Sequence, residues 1–134
     1  MLVFAQEVSQ LVHSIGQMDT LAVKVASAED SHLAQVTVAE ASNRLYNVMQ
    51  KKASEVIKGD QPRHLKVAVL VNEVATTLGK APLSEEQNLK IASVVAVDEA
   101  LTEMLKTAGV VDLKYAEARA YGREYLMEIL RGIL

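Results

Sequence analysis

Residues 31–58 form a stretch without Gly or Pro in which apolar positions recur with helical spacing. Steps of three and four, typical of the core-facing side of a helix, separate Val38, Ala41, Leu45, Val48, Met49, Ala53 and Val56. Polar residues occupy most of the positions between them. A helix of these 28 residues would be roughly 42 Å long, the length of a small bundle. We therefore predict one long helix at about 31–58, along which shorter helices pack.

The chain before this stretch carries a second apolar stripe of helical spacing. Its members are Phe4, Val8, Leu11, Val12 and Ile15. Gly16 follows directly and is a typical left-handed stop, which predicts that the first helix ends there and that Asp19 or Thr20 caps a second one. The alternative is one bent, continuous helix, because the apolar spacing continues beyond Gly16. A further break is expected near residues 30 and 31.

Gly and Pro mark the next boundaries. Gly59 is predicted to end the long helix, Asp60 to cap the following one, and Pro62 to lie in its first turn. That helix is expected at about 61–78, with Gly79 closing it. Its first half is apolar on nearly all sides, which predicts the most buried helix of the chain, although its valines also permit a strand.

The boundaries of the last two helices are predicted from capping residues. Ser84 and Gln87 match a capping box, and acidic residues follow in the first turn, where the helix dipole favours negative charge. This pattern predicts a helix that begins near Glu85 and ends before Gly109. Asp112 is then predicted to cap a final helix that runs toward the C-terminus.

Together these boundaries predict a single all-α domain over residues 1–134, a bundle of five or six helices organised around the long helix. Apolar residues make up 50% of the chain, which is typical of a folded domain. The absence of cysteine excludes disulfides, thiolate zinc sites and thiol nucleophiles.

No apolar run reaches the roughly 18 residues of a membrane span, and the N-terminus lacks the basic segment of a signal peptide. We expect a soluble, cytoplasmic protein with no membrane partner.

Charge is distributed unevenly along the chain. Residues 1–43 carry a net charge of minus four, whereas residues 44–66 carry plus four. The cations of the second range and one neighbouring histidine form a basic cluster, which consists of Arg44, Lys51, Lys52, Lys58, Arg63, His64 and Lys66. Such a cluster is a candidate contact for the phosphate backbone of single-stranded RNA or DNA. The alternative is a solvated helix end whose lysines interact favourably with the helix dipole.

The last helix combines tyrosine with arginine. Its candidate interface residues are Tyr115, Arg119, Tyr121, Arg123 and Tyr125. Three of them, at positions 115, 119 and 123, follow one line because they are spaced by four residues. Tyrosine and arginine stack on unpaired bases and anchor protein interfaces. They also pack on a core while their polar tips remain in water, so three interpretations of this helix stay open.

Single titratable residues give no catalytic or metal-binding motif. His13, His32 and His64 lie far apart, without Asp or Glu at metal-ligand spacing. Asp98 falls on the flank of an apolar stripe, where a carboxylate requires a cation or a hydrogen-bond donor; the more common arrangement at such a position is a half-exposed salt bridge. The sequence contains no Walker motif, no catalytic-triad pattern and no pair of catalytic carboxylates. We therefore expect a protein that is not an enzyme and that uses no metal or cofactor.

In its layout the chain resembles the helical small subunits of class 1 CRISPR effector complexes, the Cascade-like assemblies of antiviral defence. The resemblance rests on a short all-α chain with the basic cluster at one end of the bundle and with Arg119 and Arg123 on the last helix. It implies that several copies line a larger complex and catalyse nothing. It also implies that they contact the backbone of the guide or the displaced strand without sequence specificity.

Two hypotheses follow. In the first, the chain is a non-catalytic subunit of a nucleoprotein complex, and the basic cluster contacts phosphates. In the second, it is a purely protein-binding assembly component, such as a virion or adaptor subunit, anchored by Tyr115, Arg119 and Arg123. Both give it other protein subunits as partners, including copies of itself. Salt separates the two hypotheses, because phosphate contacts weaken steeply as ionic strength rises.

Overall fold

A computed structural model describes the backbone of residues 1–24, 28–108 and 113–134, and the side chains of residues 1–19, 35–107 and 114–134. Most of this described backbone is helical, and it contains no strand. Five helices follow one another in the described chain: α1 (Leu2–Lys24), α2 (Ala28–Val56), α3 (Arg63–Thr77), α4 (Glu85–Ala108) and α5 (Leu113–Ile133). The prediction of an all-α helical bundle is confirmed.

Helix α1 does not end at Gly16, so the predicted stop is wrong and the continuous helix is the correct alternative. Gly16 is buried, and the side chain of Arg131 from α5 lies against it. A Cβ atom at Gly16 would be 2.6 Å from Cδ of Arg131. This glycine therefore permits a close approach between two helices. Within the stripe, Leu11 is exposed rather than buried.

The long helix is present as α2, which spans 29 residues. It begins before residue 30, so the expected break near residues 30 and 31 is wrong. Most of the predicted stripe is buried, but Val48 and Val56 are partly exposed. Tyr46 and Ser42 instead contribute to the core-facing side, because this side is centred about one residue away from the predicted stripe.

The turn between α2 and α3 differs from the prediction in its capping. Gly59 adopts the left-handed conformation, with φ of 115°, after α2 has ended. Pro62 occupies the N-cap position and no side chain caps the helix, so the predicted role of Asp60 is wrong. Pro62 also precedes the first turn instead of lying in it.

The boundaries between α3 and α4 agree with the sequence. Gly79 has a positive φ of 78° just after α3. The capping box is present, because the Ser84 amide donates to Oε1 of Gln87 at 3.0 Å and the Gln87 amide donates to Oγ of Ser84 at 3.1 Å. Helix α4 accordingly begins at Glu85. The predicted stop at Gly109 and cap at Asp112 lie outside the described residues.

Each helix packs against at least two others. Helix α1 contacts α2, α3 and α5, α3 contacts α2 and α4, and α5 contacts α1, α2 and α4. Helix α3, although it is the shortest of the five, contributes six buried residues: Val67, Ala68, Leu70, Val71, Val74 and Ala75. Its valine-rich segment is helical, so the strand alternative is excluded. Leu65 and Val69 are nevertheless partly exposed, because even this helix retains one solvent-facing side.

Candidate functional site

A buried ion pair joins α4 to α5. Nε of Arg123 donates to Oδ2 of Asp98 at 2.8 Å, and Nη2 donates to Oδ1 at 3.1 Å. The two side chains are 9% and 4% exposed. The sequence predicted that Asp98 needs a cation, and Arg123 is that cation. Arg123 therefore cannot serve as the exposed interface anchor that its position on α5 indicated.

Polar and aromatic groups of α2 and α4 complete this pair. The guanidinium of Arg123 lies 4.3 Å from the centre of the Tyr46 ring, where a cation–π interaction is favourable. Nε2 of Gln50 donates to the Tyr46 hydroxyl at 2.7 Å. The hydroxyl of Thr102 donates to the backbone carbonyl of Asp98 at 2.8 Å. Burial, followed by the negative charge of Asp98, raises the pKa of the Tyr46 phenol above its ordinary value.

A polar groove opens above the ion pair and has a volume of about 530 Å³. It is lined by cations from three helices, Arg63, Lys106 and Arg119, and by acidic residues that include Glu99. Nε of Arg119 and Oε1 of Glu99 are buried and have no hydrogen-bond partner among the described side chains. Arg63 comes from the basic cluster and Arg119 from the last helix, so the fold brings the two predicted constellations together at this groove.

The rest of the basic cluster divides between exposed and packed side chains. Arg44 and Lys51 are exposed and lie seven residues apart on the solvent-facing side of α2, and Lys58 is exposed just beyond the C-terminal end of that helix. Lys52 instead packs over the ring of Phe4, with Nζ 5.2 Å from the ring centre. His64 and Lys66 are half-buried near the start of α3. The exposed members form what we call the α2 basic stripe: Arg44, Lys51 and Lys58.

The tyrosines of α5 also differ in exposure. Tyr121 is 73% exposed and Tyr125 is 38% exposed, whereas Tyr115 is half-buried. Tyr121 and Tyr125 border an apolar groove between α4 and α5. Leu89, at 67%, and Val97, at 58%, are among its most exposed apolar residues. We call this surface the α4–α5 groove; its other apolar residues are Val94, Leu101 and Ala118.

Neither a metal site nor a membrane span is found in the described ranges. No group of three or more His, Asp or Glu side chains is placed to hold a metal ion there. His13 and His64 lie on different helices, and His32 falls outside the described side chains. No helix in the described chain is long and apolar enough to cross a membrane.

The sequence analysis missed Tyr46 and Glu99, and it missed the burial of Arg123 although the sequence carried a signal for it. Arg123 precedes Leu126, Met127, Leu130 and Leu134 at helical spacing, so it lies on the buried stripe of α5. Tyr46 and Glu99 carried no comparable signal, because their positions are decided by how neighbouring helices pack. The chain matches no known protein family, no curated protein and no solved structure.

Proposed function

We propose that this protein is a non-catalytic helical subunit of a larger protein assembly, which binds a neighbouring subunit through the α4–α5 groove. The exposure of Val97 and Tyr121 along one continuous apolar groove supports this proposal most directly. Large exposed apolar patches on soluble proteins are typical of interaction sites. Tyrosine is also among the residues that contribute most to binding free energy at protein interfaces.

The lining of the groove indicates the chemistry of its partner. Two parts of the groove share Ser93 and Val94, so they form one surface along α4. At one end of the groove Glu86 is paired with Lys90, which leaves Glu85 as the unpaired acid there among the described side chains. Arg119 borders the other end. An amphipathic helix fits such a surface when its apolar side faces the groove. Charge complementarity favours a helix with a basic residue near Glu85 and an acidic residue near Arg119.

The experiment compares Val97→Glu with a matched control, Val3→Glu, in cell extract from the natural source. Val3 is also exposed, but it lies on α1 and does not line the groove. Substitutions at such exposed positions usually change folding stability by under about 0.5 kcal/mol. We expect the wild type and Val3→Glu to sediment as a large complex that survives raised salt and nuclease treatment. Val97→Glu should sediment as the free chain; if it remains in the complex, the proposal is wrong.

A second candidate function is contact with a nucleic-acid backbone, as in the CRISPR small subunits that the sequence resembles. The specific observation in its favour is the buried Nε of Arg119, which lacks a partner in the described structure and lies in a groove with Arg63 and Lys106. A phosphate oxygen would satisfy that donor. The α2 basic stripe would add three further contacts to the backbone.

This second candidate is tested by fluorescence anisotropy with mixed-sequence, single-stranded RNA and DNA at several salt concentrations. The variant replaces Arg44, Lys51 and Lys58 by Gln, and Lys80→Gln is the control on an exposed lysine outside the α2 basic stripe. For a backbone-binding subunit, the slope of log affinity against log salt should become shallower by about 0.7 for each phosphate that is no longer neutralised. Equal slopes for the triple variant and the control would reject this role for the α2 basic stripe.

A further inference from the structure

A second cavity, separate from the polar groove, lies between α1, α2 and α5 and has a volume of about 220 Å³. Ile15, Val38 and Met127 give it an apolar inner wall, and all three are buried. The hydroxyl of Ser42 also lines the cavity. Ser42 is 0% exposed, and its Oγ has no hydrogen-bond partner in the described part of the chain. A buried hydroxyl without a partner is unfavourable, so this cavity contains an unsatisfied polar group.

Three carboxylates surround the same cavity: Asp19 from α1, and Glu124 and Glu128 from α5. None of them forms an ion pair with any described side chain. Burial, followed by the charge of Asp19, raises the pKa of Glu124. The one cation among the described residues that line the cavity is Arg131, whose side chain packs against Gly16. The cavity therefore retains a net negative charge.

Aromatic rings complete the lining. Tyr121 and Tyr125 border this cavity as well as the α4–α5 groove. A ring face attracts a cation, and the attraction adds to that of the carboxylates. Quaternary ammonium groups have no N–H to donate, whereas a primary ammonium can donate to both Ser42 and a carboxylate. The lining thus matches a primary ammonium better than a quaternary one.

We propose that this cavity binds a short aliphatic diamine, with one ammonium near the Ser42 hydroxyl and the Glu124 carboxylate and the other near Asp19 and Glu128. The apolar wall would contact the methylene groups between the two ammonium groups. The volume supports this size, because one water molecule occupies about 30 Å³ of liquid and the cavity holds roughly seven such volumes. A dication also balances three carboxylates and one guanidinium, which together carry a net charge of minus two.

The test is isothermal titration of the purified chain with 1,4-diaminobutane. Butylamine, tetramethylammonium and sodium chloride at matched ionic strength are the comparison ligands. We expect saturable binding of the diamine, weaker binding of butylamine and none of the other two. Non-saturable heats for the diamine, or equal heats for sodium chloride, would show only general charge screening and would overturn the proposal.

Three variants locate the site. Ser42→Ala should weaken diamine binding by about tenfold or more, the effect of one hydrogen bond to a charged group. Glu124→Gln should weaken it by a similar factor, whereas Glu117→Gln, an exposed acid of α5 that does not line the cavity, should leave it unchanged. Circular dichroism verifies that each variant is folded. Unchanged affinity in both Ser42→Ala and Glu124→Gln would place binding elsewhere and refute the site.

Discussion

Removing either partner of the Asp98–Arg123 pair should destabilise the protein far more than removing both. Asp98→Ala leaves a guanidinium that is buried against the ring of Tyr46 without its carboxylate. Arg123→Met leaves a buried carboxylate that has lost its cation and keeps only neutral neighbours, the Tyr46 phenol and, at 3.5 Å, the Thr102 hydroxyl. An uncompensated buried charge typically costs about 3–5 kcal/mol. We expect each single variant to lose a free energy of unfolding in this range.

The double variant Asp98→Ala with Arg123→Met contains no buried charge at this position. The double variant should lose much less free energy of unfolding than the two single variants lose together, because the desolvation cost of a buried pair nearly offsets its attraction. The difference between the double loss and the sum of the single losses is the coupling energy, which we expect to be several kcal/mol. The measurement is urea unfolding of all four proteins, followed by far-UV circular dichroism. The chain supplies an internal control in the exposed pair of Lys90 and Glu86, whose side chains are 52% and 79% exposed. Glu86→Ala should cost under about 1 kcal/mol.

Two results would refute this reasoning. If both single variants lose no more than Glu86→Ala, the pair at Asp98 and Arg123 is solvated in solution and does not carry a desolvation penalty. If the double variant loses the sum of the two single losses, the two charges do not interact. In either case Asp98 and Arg123 would not form a fixed, ion-paired base of the polar groove that they line.

Three further predictions follow from burial and from the pKa shifts. Leu70→Ala should lower the free energy of unfolding by about 2–5 kcal/mol, measured with urea, because Leu70 is fully buried. Leu65→Ala on the same helix should lower it much less, because Leu65 is partly exposed. Equal losses in the two variants would contradict this packing. The pKa of Tyr46 is raised in the folded state by burial and by Asp98, so the unfolded chain loses this proton first and wild-type stability should fall as pH rises above about 10. Thermal unfolding should show a shallower alkaline decline for Tyr46→Phe, and parallel curves would argue against the shift. The pKa of Glu124 is raised by burial and by Asp19, so stability is lost as pH rises from about 4 toward the folded-state pKa. Glu124→Gln should therefore unfold at a higher temperature than wild type near neutral pH, with the difference vanishing below about pH 4; a constant difference would exclude titration as its cause.

The parts of the fold that the sequence predicted correctly are decided by local interactions. Ser84 and Gln87 satisfy each other's amides within one turn, and Gly59 and Gly79 adopt a backbone conformation that other residues avoid. Such signals require no knowledge of distant helices. Gly16 shows where this reasoning fails, because its role depends on Arg131, a residue of another helix that packs against it.

The site was less predictable because its groups come from separate helices. The apolar flank of Asp98 indicated that it needs a cation, but no local rule connects α4 to Arg123 on α5 or to the Tyr46 ring on α2. The basic cluster is a charge pattern that the sequence itself displays, but its division between the α2 basic stripe, the Phe4 contact and the polar groove follows from helix orientation. Spacing along one helix predicts which residues share a side, but not which neighbour covers that side.

The contact between α1 and α5 constrains the order in which the chain can fold during synthesis. Val8, Val12 and Ile15 are buried in a bundle that α5 helps to close, so their stripe stays partly uncovered until α5 has left the ribosome. Contacts between segments so distant in sequence also form slowly, since a long loop must close first. Helix α2 can cover part of this stripe as soon as it emerges, but the part that faces α5 stays exposed on the nascent chain until α5 is made.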